Sequence, residues 1–315
     1  MAIDTDSKSV FLFQGVGCNL DKMLNGLGEE QLCILKDLCR ESSDYAELDL
    51  VKYLDDRNIF NKETDKIYAE WLITGLSDIA VFKSFENNGI KPDYIVGYSL
   101  GLNNAMHCTG AIPLKGCAQI LRGVVSSLEE SRTRSKVGYD MGMVIGLELN
   151  VVNDLIERCS SIDRIKVASE NSEFMIVMSG EKNEIQKVLD AALDEGALKA
   201  FLLCVGSPFH TSMMKDYSSC YFNALKEVQY SDAKYPVISI FSQNELHTAD
   251  EMYNEQCRNF LEQMKWKDTI DHLESIGVRN FYDMSATAAN KKSSVINKED
   301  SRFITIKSLK KIGGH

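Results

Sequence analysis

The sequence predicts an α/β protein: a parallel-sheet core carrying a smaller inserted sheet. Three observations lead there. A short apolar strand, Val10-Phe11-Leu12-Phe13, runs into a glycine loop, Gln14-Gly15-Val16-Gly17-Cys18-Asn19. A second apolar strand before Gly97 breaks into Gly97-Tyr98-Ser99-Leu100-Gly101, followed by a run to Ala111 that can be helical. A strand, several helices, then another strand is the order of a parallel α/β core. Finally, residues 137–205 follow a β-α-β-β-α-β order of their own, which is the ferredoxin-like arrangement, and core-type strands resume after it.

The elements follow in order. Residues 29–41 and 44–56 show helical spacing, as in Leu32, Leu35, Leu38 and Leu48, Val51, Leu54. A longer helix starts near Thr64, carries Ile67, Trp71, Ile79, Phe82 and Phe85 on its apolar stripe, and stops at Gly89 and Pro92. Pro113 opens a helix to about Ser131, buried along Leu114, Ala118, Leu121, Val125 and Leu128, with Arg122 on its polar stripe. In the insertion, strands are predicted at 141–147, 164–169, 174–179 and 198–204, with helices at 151–159 and 181–195. Beyond it come a turn-rich segment at Gly206 to Thr211, a helix at 213–228, a strand at 236–241, and helices near 249–263 and 266–276. A strand at 280–284, an irregular polar stretch at 285–300 and an edge-type strand at 302–306 complete the chain. The predicted division is a large core, 1–136 with 206–315, and a small subdomain, 137–205.

Composition narrows the function. The chain has 315 residues, a net charge of −11 and nine cysteines without a C-x-x-C pair. The charge argues against nucleic acid, which needs a basic footprint. The cysteines suggest neither a disulfide framework nor a zinc ribbon, so no metal is expected. Met1 to Ser9 is polar and no apolar run approaches membrane-spanning length. A cytoplasmic monomer with no membrane contact is the expectation. Residues 290–315 carry a local charge of +5, against −16 for the remainder. This reads as a solvated chain end, or as a docking patch for an acidic partner.

Gly97-x-Ser99-x-Gly101 between strand and helix is the nucleophile-elbow pattern, in which glycines permit a sharp turn and the serine stands exposed at its tip. This makes the core α/β-hydrolase-like. A serine hydroxyl needs a base within hydrogen-bond reach, ordinarily histidine. Of the five histidines, His315 is terminal, His272 lies mid-helix, His107 points away along the elbow helix, and His247 follows a strand in a polar segment. His210 sits in a proline-set turn after a strand end, where catalytic groups of α/β sheets gather; on pattern alone it is foremost among several. The amide of Leu100 and a main-chain amide of the Gly15-Val16-Gly17 loop are candidate oxyanion donors. Arg122 has no acid three or four residues away on its helix, and on pattern alone it is a solvated helix-face residue.

Phe13 to Asn19, Gly97 to Gly101, Leu121-Arg122-Gly123 and Ser207 to His210 together resemble the malonyl-CoA:acyl-carrier-protein transacylases and the freestanding acyltransferases of polyketide synthases, over about residues 10–285. The resemblance implies Ser99 as nucleophile, His210 as its base, the amides of Val16 and Leu100 as oxyanion hole, and Arg122 as partner of a malonyl-type carboxylate. It implies an acyl pocket with Phe209, Tyr98 and Met141. There are departures. The family loop G-Q-G-S-Q is here Gly15-Val16-Gly17-Cys18-Asn19. Tyr98 and Leu102 replace a histidine and an acid. The asparagine-proline segment that orients the base is matched to Glu262-Gln263-Met264-Lys265-Trp266.

The resemblance therefore implies an acyltransferase that carries a malonyl-type group from a CoA or carrier-protein thioester, through Ser99, to the phosphopantetheine thiol of an acyl carrier protein, with no bound cofactor. A hydrolase that clears acyl groups from carrier proteins would use the same pair, and Arg122 weighs against it, because uncharged acyl chains need no cation. A non-catalytic carrier-binding module is opposed by the intact Ser99 and His210. A basic patch at Lys115 or the C-terminal lysines is expected to receive the carrier.

Overall fold

The computed structural model describes residues 7–309. Lys310, Lys311 and His315, part of the predicted basic end, lie outside the described residues.

The chain opens with β1 (Lys8–Phe13), α1 (Leu20–Leu24), α2 (Glu29–Ala46), α3 (Leu50–Asp55), α4 (Glu63–Asn87), β2 (Tyr94–Gly97), α5 (Gly101–Cys108) and α6 (Leu114–Arg134). The insertion contributes β3 (Tyr139–Ile145), α7 (Leu149–Cys159), β4 (Ile165–Ser172), β5 (Met175–Glu181), α8 (Lys182–Asp194) and β6 (Lys199–Leu202). The core resumes with a 3-10 turn at Ser212–Tyr217, then α9 (Ser219–Glu227), β7 (Val237–Ile238), β8 (Glu245–Leu246), α10 (Ala249–Asn259), α11 (Trp266–Ser275), β9 (Val278–Asp283), α12 (Ala289–Lys292), β10 (Arg302–Thr305) and α13 (Ile306–Leu309).

The large sheet runs β10-β9-β1-β2-β7-β8, parallel except for the edge strand β8, so it is mixed rather than purely parallel. Both faces are covered, which is why its strands read as continuous apolar runs. Phe11 and Phe13 of β1 pack to one side, against α2, α4 and α6; Val10 and Leu12 pack to the other, against Trp266, Ile270 and Leu273 of α11. α4 is buried all round from Leu72 to Phe82, as a central helix must be. The insertion forms a separate antiparallel sheet, β4-β5-β3-β6, backed by α7 and α8, with the strand order of a ferredoxin-like unit.

Some boundaries depart from the sequence reading for local reasons. α2 runs on to Ala46 and ends at Glu47 in the left-handed region (φ 54°); Asp49 then caps α3 by accepting from the Lys52 amide. The strand expected at 236–241 stops at Ile238. Ser239 Oγ donates to Glu255, Glu255 accepts the Ile240 amide, and Ser239 Oγ accepts the amides of Phe241 and Ser242, so the chain turns. The stretch at 285–300 is irregular apart from α12, but it is anchored: Asp283 accepts from the amides of Ser285 and Lys291 and from Asn290 Nδ2.

Candidate active site

Ser99 and His210 stand where the C-terminal ends of β1 and β2 meet the loop after β6. Ser99 sits at the elbow tip with φ 53°, a conformation few non-glycine residues hold. Its two glycines are required by space. A Cβ at Gly97 would lie 2.3 Å from Leu102 Cα, and one at Gly101 would lie 2.5 Å from the Phe13 carbonyl oxygen. The turn is closed by amides of Gly101 and Leu102 donating to the carbonyls of Tyr98 and Ser99. Asn259 Nδ2 also donates to the Ser99 carbonyl, at 3.0 Å.

His210 Nε2 lies 2.8 Å from Ser99 Oγ. The histidine, itself at φ 60°, is held from two sides. The insertion supplies Asp140, which accepts the amides of Val205 and Gly206, and Ser179, whose Oγ donates to the Phe209 carbonyl at 2.8 Å. Helix α6 supplies Ser131, paired with Ser207 at 2.8 Å, and Arg132, which donates to the Val205 carbonyl. Burial lowers the His210 pKa to about 4, and the main-chain carbonyl of Asn259 opposes this only in part. Nδ1 meets no acceptor in hydrogen-bonding geometry. The ring is therefore neutral at pH 7 and can accept the serine proton through Nε2.

The glycine loop closes over the elbow. Gly15 is so near that a Cβ there would lie 3.3 Å from Ser99 Cβ. Gln14 braces the loop: its amide and its Nε2 both donate to Asp78, a fully buried carboxyl on α4 whose pKa burial pushes well above the usual range. Among the described residues, no acceptor takes the main-chain amide of Val16 or Leu100, and both residues line the cavity at Ser99. That cavity, of about 40 Å³, is walled by Trp71, Val124, Phe209, Tyr221 and Phe260 as well as Val16. A larger cleft of about 380 Å³ opens on the other side of His210, between the insertion and the core, bordered by Asn153, Lys166, Ser212 and Gln263.

Of the residues singled out from sequence, the structure gathers Ser99, Leu100, Val16, His210 and Phe209 around one cavity. It corrects three others. Arg122 is not among the cavity-lining residues; its guanidinium stacks 3.6 Å over the Tyr68 ring, donates to the Ala46 carbonyl at 2.7 Å and lies 3.6 Å from Asp65. The α6 residue that does face the cavity is Val124, and positions two apart on a helix point about 200° apart. Gly123 between them serves packing, since a Cβ there would lie 2.8 Å from Ala224 of α9. Tyr98 turns toward the insertion, donating to Asn171 at 3.0 Å and packing edge-on against Trp266. Met141 is buried on β3 away from the cavity wall. Of the segment 262–266, Gln263 borders the cleft that His210 also lines, while Met264 pairs with β4 through the Ala168 carbonyl; the main-chain carbonyl nearest the His210 ring is that of Asn259, at the end of α10. Trp71, Val124, Tyr221 and Phe260 were not legible as pocket residues, because an apolar wall and an apolar core have the same sequence pattern.

No family model matches the chain. It is 26% identical over 296 residues to the malonyl CoA-acyl carrier protein transacylase of Buchnera aphidicola subsp. Schizaphis graminum, covering 92% of this chain and 91% of that protein. It is 24% identical over 287 residues to the protein of the same name from Bacillus subtilis (strain 168), covering 88% and 86%. Its fold matches the malonyl CoA-acyl carrier protein transacylase from Coxiella burnetii with a TM-score of 0.82 at 22% identity, over 96% of this chain and 95% of that one. A malonyl-transacylase solved in complex with a type II PKS acyl-carrier protein matches with a TM-score of 0.82 at 20% identity, covering 95% and 96%. The fold is thus that of the malonyl transacylase structures, a mixed parallel sheet with a small antiparallel subdomain. The relatives and structural neighbours together indicate an acyltransferase.

Proposed function

We propose that this protein moves an acyl group from a CoA or carrier-protein thioester, through an ester on Ser99, to the phosphopantetheine thiol of an acyl carrier protein. The observation that carries this reading is the 2.8 Å contact between Ser99 Oγ and a neutral, buried His210 Nε2 beside two unclaimed main-chain amides. The printed names of the relatives support transacylation between CoA and carrier protein, malonyl thioesters included, and favour transfer over hydrolysis.

The chemistry follows from the geometry. His210 Nε2 takes the Ser99 hydroxyl proton as Oγ bonds to the thioester carbonyl carbon. The carbonyl oxygen gains charge and is met by the amides of Val16 and Leu100. The carbon–sulfur bond breaks and the leaving thiolate takes the proton back from Nε2. The acceptor thiol then gives its proton to Nε2 and attacks the ester carbonyl carbon; the acyl–Oγ bond breaks and Ser99 Oγ recovers that proton from Nε2, restoring both residues. The cavity houses the acyl group, while the cleft beyond His210 has room for a pantetheine arm. No bound cofactor enters any step. Departures of the glycine loop at Val16, Cys18 and Asn19 from the usual family pattern support the specialised polyketide branch over a housekeeping role. Exposed Lys115, on α6, and Lys166, at the cleft, are the basic groups offered to an acidic carrier.

The test is intact mass after incubation with malonyl-CoA and then with carrier protein. An adduct that forms, is absent from Ser99→Ala and passes to the carrier supports the reading; no adduct from any acyl-CoA removes it.

A further inference from the structure

We propose that the acyl group this site holds best on Ser99 is uncharged, as an acetyl group is, in preference to a dicarboxylic acyl group. The inference rests on the acyl-enzyme reading above and names its preferred substrate class. Among the described residues that line the cavity, none is Lys or Arg. A free carboxylate buried there would lack the paired cation that burying a charge requires. The α6 position that looks into the cavity holds Val124, 7% exposed, and Arg122 faces away, held by Tyr68, the Ala46 carbonyl and Asp65. The helix would have to rotate by about half a turn to exchange them, and the approach of Ala224 to Gly123 forbids that.

The polar groups on the wall do not substitute for a cation. The Tyr221 hydroxyl already donates to Gln256. Asn103 Oδ1 accepts from Gln256, and Asn259 Nδ2 donates to the Ser99 carbonyl. Asn259 Oδ1 is buried without a partner and can only repel a carboxylate.

The experiment offers the full-length protein equimolar acetyl-CoA and malonyl-CoA, and reads the two adducts by intact mass and the two transfers to holo carrier protein by kcat/KM. Acetyl should be favoured by about a hundredfold, the range expected when a buried charge has no partner. Arg122→Ala should leave that ratio unchanged. Val124→Arg should move it toward malonyl by about tenfold or more; should that variant fail to fold, the wild-type ratio and Arg122→Ala decide alone. Malonyl loading that predominates in the wild type, or that falls selectively in Arg122→Ala, overturns the inference and leaves Ser99 acyl transfer standing. Absence of any Ser99 adduct overturns both.

Discussion

Ser179 on the inserted sheet donates its hydroxyl to the carbonyl of Phe209, one residue before His210, at 2.8 Å. The insertion therefore braces the candidate site, since it fixes the strained turn at His210 from a separate hydrophobic core. Ser179→Ala should cost about 1–3 kcal/mol of stability through the unpaired buried carbonyl. It should also lower kcat by about tenfold with little change in KM, because the base is misplaced and not removed. Thermal unfolding and steady-state kinetics measure both. Ser179→Thr, which restores a hydroxyl, should recover most of kcat; equal loss in kcat and KM with no rescue would remove the positioning role.

Burial gives His210 a pH signature. With its pKa lowered to about 4, the imidazole stays neutral well below the ordinary histidine range. The acid limb of kcat/KM should fall near pH 4 to 5, not near 6.5. The same shift acts on stability with a definite sign. Between the folded value of about 4 and the unfolded value of about 6.5, the unfolded chain binds the proton and the folded chain does not. Stability from this group is present above about pH 6.5 and is lost as pH falls toward 4. His210→Gln should flatten that part of the stability profile, which denaturant titration across pH 4 to 7 would show.

The elbow was legible in sequence because its glycines are forced by backbone contact, and contact at 2.3–2.5 Å leaves no other residue type. His210 was legible because it follows a strand end and a proline. Arg122 was misread because a linear motif carries no helix phase: the same Leu-Arg-Gly run can present its arginine to a pocket or to the far face, and only the packing of Gly123 on α9 fixes which. Asn259 was missed because an amide that holds a main-chain carbonyl has no spacing rule. Asp78 was hidden in the fully buried stretch of α4 from Leu72 to Phe82, where the sequence shows the acid but not the glutamine it meets 64 residues away.

Arg122 has a structural task. It ties α6 to α4 through Tyr68 and Asp65, and to the end of α2 through the Ala46 carbonyl. Its side chain is 39% exposed, so the long ion pair to Asp65 contributes little, and the ring stacking and carbonyl bond dominate. Arg122→Ala should lower stability by about 1–2 kcal/mol, while Asp65→Asn should change it by less than about 0.5 kcal/mol. Chemical denaturation of the two variants separates these contributions; a larger effect of Asp65→Asn would reverse the assignment.

Asp78 is the support under the glycine loop. Its carboxyl accepts both the Gln14 amide and Gln14 Nε2, in a fully buried position where no water replaces them. The next two residues, Gly15 and Val16, pass directly over Ser99. Asp78→Ala leaves both Gln14 donors unpaired, so a stability loss of about 2–4 kcal/mol is expected. Asp78→Asn keeps a carbonyl for one donor but sets an N–H against the other, and should cost less. The catalytic readout distinguishes a brace from mere ballast: in folded Asp78→Asn protein, acylation of Ser99 should slow by about tenfold, as expected when an oxyanion donor drifts out of line. CoA-thioester binding should stay close to the wild-type value, since the cleft beyond His210 is untouched. Burst kinetics of acyl-enzyme formation with acetyl-CoA would measure the first, and equilibrium binding of a non-hydrolysable thioester analogue the second. An unchanged acylation rate in well-folded protein would show that the Val16 amide does not depend on Gln14 for its position.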